Sequence, residues 1–174
     1  MPAERCIRSA RQRGFFLIEA MVAILIFALG ILGLVAMGGT AVSSQSDAQY
    51  RTEASSLADA IAGEIALGID RTSEATKQAT LANYAHKPSP VPTTVPAPCS
   101  FTGAPINGVA HPGVQALLDR ANSGGPLGMP GATAANQQIF IDAVGNFNRV
   151  VITLCWKTAA DAAWRRHTLV TYIN

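Results

Sequence analysis

The sequence predicts an α+β protein, with a long N-terminal α-helical stem packed on a small C-terminal antiparallel β-sheet head. Three observations predict it. Residues 15–42 form an apolar run that holds one charge, Glu19. Residues 43 to about 69 keep a helical period but become two-sided, which marks a helix lying on a core. Near the C-terminus, residues 138–144, 149–157 and 167–173 carry strand signals separated by turn-length connections.

Composition bounds the rest. The chain has 174 residues, of which 49% are hydrophobic and 14% charged, against about 25% charged in soluble domains. That length allows one ordinary domain plus an appendage and excludes a large multidomain catalyst. The net charge of +2 hides an asymmetry: Arg5, Arg8, Arg11 and Arg13 against Glu4 give residues 1–14 a charge of +3, leaving −1 on the remainder. A near-neutral body lacks the clustered Lys and Arg of a nucleic-acid face, so no nucleic-acid partner is expected. Arg165 and Arg166, the only basic pair after residue 14, read as a solvated hairpin tip.

The elements follow in order. Residues 1–14 read as a basic leader. The 28 residues of 15–42 reach about 42 Å as a helix, more than the roughly 30 Å hydrocarbon layer, so they can span a bilayer. The arginines before the run place its N-terminus in the cytoplasm and the head outside the inner membrane. A cleaved secretory signal fits less well, because the run exceeds the usual 7 to 15 residues and has no use for a carboxylate. Gly30, Gly33, Gly38 and Gly39 weaken this helix without forming the GxxxG dimer pattern. Residues 43–84 read as an amphipathic continuation of the stem, ending between Gly68 and about Tyr84. Leu57, Ile61, Ile65 and Ile69 form its apolar stripe, opposite Asp47, Arg51, Glu53, Asp59 and Glu64.

Residues 85–135 read as a connector and long surface loops. Five prolines between 88 and 98 exclude helix and inner strand there; one short helix is expected at 114–121. Residues 136–174 read as an antiparallel meander with Gly145 and Asn146 at its first turn. Val150, Ile152, Leu154 and Trp156 share one face, which the stem covers.

The stretch Gly14-Phe15-Phe16-Leu17-Ile18-Glu19-Ala20-Met21 resembles the class III leader junction of type IV pilins and type II secretion pseudopilins. The continuation Ala28-Leu29-Gly30-Ile31-Leu32-Gly33-Leu34, with Gln49-Tyr50-Arg51 and Ser56-Leu57-Ala58-Asp59, is similar to minor pilins of that family. The resemblance implies the lollipop shape of pilins. It also implies that prepilin peptidase cleaves between Gly14 and Phe15 and methylates the new amino group. Glu19 becomes the assembly carboxylate, attracting the N-terminal amine of an adjoining subunit. Other minor and major pilins, inner-membrane lipid before assembly and a tip adhesin are the implied partners, and a pilus fibre on the cell surface is the implied destination. A type II secretion pseudopilin is the alternative; a DNA-uptake pilin would need a basic stripe that this body lacks.

Under this resemblance processing removes Cys6, leaving Cys99 and Cys155 as a natural disulfide in an oxidising compartment. No catalytic residue, cofactor or metal site is expected. His86, His111 and His167 are scattered and read as surface residues, and HExxH, CxxC and GxSxG motifs are absent from the sequence. Ser123-Gly124-Gly125-Pro126 reads as a turn, and His111 with Asp119 lacks the spacing of a ligand set.

Overall fold

An apolar stripe on one helix and an alternating strand face find each other in the head. The computed structural model describes residues 15–92, 99–122, 128–143, 147–159 and 161–174. Helix α1 runs Phe15–Gly68, and the chain divides into two compact units, 1–46 and 47–174. In the second unit Ala54, Leu57, Ala58, Ile61 and Ile65 are buried. They recur at the three- and four-residue steps that keep one helical face toward a core. Strands β1 (Gln137–Asp142), β2 (Arg149–Trp156) and β3 (Arg165–Tyr172) pair antiparallel in the order β1-β2-β3. The result is a helix on a three-stranded sheet, the expected α+β fold.

Register sets the core face. Ile139 opposes Ile152, which opposes Leu169, so the three share one side of the pleat. Val150, Ile152, Leu154 and Trp156 are buried on that side against the α1 stripe. Each such aliphatic or aromatic side chain contributes about 1.5–3 kcal/mol on burial. The opposite side of β2 is closed as well: Val151, Thr153 and Cys155 are buried. Cys99 and Phe101 cluster with Cys155 there, and Gln138 donates from β1 to the carbonyls of Lys87 and Pro90. The connector therefore covers the back of β1 and β2, while Thr168, Val170 and Tyr172 on the same side of β3 stay exposed.

The stem ends at the near limit of its expected range, and the remainder of 43–84 holds a second helix. Helix α1 stops at Gly68, and a separate helix, α2, occupies Glu74–Ala82. The break has local causes. Asp70 accepts the Thr72 amide at 2.9 Å, an Asx turn that competes with helix, and Ser73 caps α2 by accepting the Thr76 amide at 3.1 Å. The Arg71 guanidinium closes the end of α1 on the carbonyl of Ala66 at 2.6 Å. Helix α3 spans Pro112–Ala121, where the short helix was expected. The 103–135 region is not only surface loop, since Ile106, Val114, Leu118, Met129 and Ala132 are buried. Residues 93–98, 123–127 and 144–146, which include the later prolines and the expected first meander turn, lie outside the described residues.

Several glycines sit where a Cβ has no room: at Gly131, with φ 65°, it would lie 2.6 Å from the Lys157 carbonyl oxygen. A Cβ at Gly68 would overlap the Tyr84 hydroxyl. Tyr84 is buried and packs on the His111 ring with centroids 4.0 Å apart, so swinging clear would break that stacking. Gly63, in the same helix, has nothing within 4 Å of such a Cβ. Gly68→Val should therefore destabilise the head by about 1–3 kcal/mol, whereas Gly63→Ala should stabilise it by up to about 1 kcal/mol. Thermal unfolding followed by circular dichroism distinguishes the two.

Candidate functional site: the apolar helix and its junction

Residues 16–45 of α1 are all exposed in the isolated chain. They include Phe16 at 77%, Leu25 at 60% and Leu34 at 71% exposure. A helix apolar on every side needs a nonaqueous environment or helical neighbours. Its most apolar window has a mean hydropathy of 2.8, and by length and composition the helix can cross a membrane. Two hydroxyls near the end of this stretch are satisfied internally. Thr40 donates to the Met37 carbonyl at 2.8 Å, and Ser44 donates to that of Thr40 at 3.0 Å, so neither hydroxyl demands an external partner.

Glu19 differs from these. It is exposed, four residues into the helix from Phe15, a rise of about 6 Å. Among the described residues no hydrogen-bond or ion-pair partner meets its carboxylate. Gly14 lies outside the described residues, and Phe15 is the first residue of α1. The structure thus places Glu19 one turn beyond the expected junction.

The head contains two polar centres that the sequence reading misassigned. Arg165 is not at a solvated tip. It opens β3, pairs with Asp161 at 2.8 Å and with Asp47 on α1, and Arg51 adds a second cation to Asp47 at 3.1 Å. The Arg165 guanidinium, helped by the Thr158 amide, lowers the Asp161 carboxyl to about 2. His86 is not a surface residue either: it is 2% exposed. His111 sits at the N-cap of α3, and His167 is half-buried on β3. Among the described residues no three His, Cys, Asp or Glu side chains are grouped to hold a metal ion.

Cys99 and Cys155 form a disulfide with Cα atoms 5.9 Å apart and a sequence separation of 56. Closing a loop of that length contributes about 4 kcal/mol in the chain-entropy account. Asn136, which the sequence reading did not single out, donates to the Cys99 carbonyl at 2.6 Å and accepts from the Thr133 amide at 3.0 Å. Its only sequence signal is the Thr-x-x-Asn spacing of a capping box.

Residues 9–35 match the family model described as the prokaryotic N-terminal methylation motif. The motif supports a type IV pilin-like protein. The matched span contains Gly14, Phe15 and Glu19. This pilin-like leader implies processing by prepilin peptidase and assembly with other pilins, and it points to a structural protein rather than an enzyme. The leader and the apolar helix fit membrane anchoring. No curated protein and no solved structure matches the chain.

The Asp161 pairing yields a pH dependence. Its carboxyl is lowered to about 2 on folding, from an unfolded value of about 3.9. The contribution is therefore complete above the unfolded value and is lost as pH falls through the folded one. Asp161→Asn should lower the melting temperature at pH 7, and its difference from the native chain should shrink between about pH 4 and 2. Melting curves across that range provide the check.

Proposed function

We propose that this pilin-like chain is a minor pilin of the type IV pilus modification protein kind, PilV. In this reading it is cleaved after Gly14, N-methylated at Phe15 and assembled through α1 into a pilus. It acts in the priming or tip complex and supports pilus biogenesis, adhesion and twitching motility. Before assembly it sits in the inner membrane with its head in the periplasm. The observation that carries the proposal is Glu19, a lone carboxylate one helical turn beyond the matched leader in an otherwise apolar segment.

The chemistry explains why a carboxylate belongs there. An anion in a membrane helix is costly, by about 2.5–3.5 kcal/mol at the helix centre on insertion scales and less near the interface. Cleavage creates an ammonium at Phe15. Two unit charges about 4 Å apart attract by roughly 4 kcal/mol at an effective dielectric near 20, before desolvation is subtracted. The net gain from one pair is small, so its main effect is register: the carboxylate of one subunit meets the amine of the next only at a fixed axial offset. A helix apolar on all other sides then packs by dispersion and close contact.

Cleavage beside Gly14 uses the absence of a Cβ for close approach of the peptidase. Gly14→Val should remain full length on immunoblots of membranes, whereas the native chain shortens by the leader. Glu19→Ala should shorten normally and reach the membrane fraction, yet be depleted at least tenfold from sheared fibres. Native-level incorporation of Glu19→Ala contradicts the assigned role. Deletion of the gene should abolish surface pili and twitching while exoprotein secretion continues; the opposite pattern would identify a type II secretion pseudopilin.

A further inference from the structure

We propose that His86 is an acid-sensitive latch, whose neutral ring holds both arms of the connector against the outer edge of β1 and releases them on protonation. Strand β1 pairs with β2 along one edge. On its other edge the His86 amide donates to the Ile139 carbonyl at 3.0 Å, and the Ile139 amide donates back to the His86 carbonyl at 2.9 Å. The ring reaches across to the second arm. Its Nδ1 accepts the Ile106 amide at 3.2 Å, while Nε2 faces the Ala134 carbonyl at 3.4 Å. Only the neutral tautomer protonated on Nε2 suits both neighbours. The two arms are also joined by the Lys87 amide donating to Ala104 and by reciprocal bonds between Ser89 and Thr102.

Protonation would set an Nδ1–H against the Ile106 N–H, donor against donor, and place a cation where the residue is 2% exposed. The facing charges are Lys87 on the same arm, which opposes protonation, and Asp119 on α3, which favours it. The neighbours from β1 and the 134–136 turn, Gln138, Ile139 and Ala134, carry no charge. Burial dominates and holds His86 below the ordinary histidine range. The latch is therefore fully engaged above about pH 6.5, the unfolded value, and weakens as pH falls below it toward the folded value. The Cys99–Cys155 disulfide tethers the second arm to β2 throughout, which keeps release local.

Hydrogen exchange on the full chain in detergent tests the latch, with peptides covering 84–92 and 99–106 compared at pH 7.5 and 5.0 after correction for intrinsic exchange. Protection of these peptides should fall at least tenfold at pH 5.0 while β2 stays protected. His86→Asn, whose Oδ1 can accept the Ile106 amide without titrating, should keep its protection at both pH values. Unchanged protection in the native chain, or an equal loss in His86→Asn, overturns the proposal. NMR of the native His86 ring gives a check that needs no variant: its proton uptake must coincide with the loss of protection, and an uptake that leaves the Ile106 amide protected also overturns it.

Discussion

A carboxylate with no partner among the described residues of an apolar helix cannot be indifferent to its surroundings, and Glu19 imposes that condition on the whole stem. Around it the helix offers hydrocarbon on every side from residue 16 to 42, and the hydroxyls of Thr40 and Ser44 are bonded within the helix. Polar demand in this segment is thus concentrated in one group. In low-dielectric surroundings such a group favours any arrangement that supplies a cation, and a processed N-terminus, as proposed, would supply one per subunit. In the proposed reading the methylation motif and the carboxylate belong to one device, since cleavage at the motif creates the amine that the carboxylate requires.

The head is built by a different rule. From Asp47 onward the helix carries a buried stripe, and β2 lies beneath it with both of its faces closed. Closure on the back depends on a proline-rich connector that could not pair as an inner strand. It is held instead by discrete contacts: the His86–Ile139 bridge, the Gln138 amide and the Cys99–Cys155 disulfide. The front face is closed by nonpolar packing along the helix, and the Asp47–Arg165–Asp161 network adds a polar tie between α1, the β2–β3 connection and β3.

What the sequence made legible was periodic or local. The Leu57, Ile61, Ile65 stripe and the Val150, Ile152, Leu154, Trp156 alternation each reveal a buried face because the pattern repeats within a single element. The leader and Glu19 are likewise readable in a few consecutive residues. His86 and Arg165 were misread because their environments are assembled from remote segments. The partners of His86 lie 20 and 48 positions away, and Asp47 reaches Arg165 from another element. Asp161, four residues before Arg165, lies within a local window, but Asp47 and the partners of His86 do not. The end of the stem at Gly68 was legible only as a range, because the Asp70 turn and the Ser73 cap compete with a helical pattern that continues into α2.

The central claim is that processing at the junction creates the amine that Glu19 meets in a fibre. Intact-mass analysis and N-terminal sequencing of the native chain recovered from sheared surface fibres test it most directly. The account predicts a polypeptide that lacks residues 1–14 and begins with N-methylated Phe15. A fibre-associated chain that retains Met1, or that begins at any other residue, would contradict it.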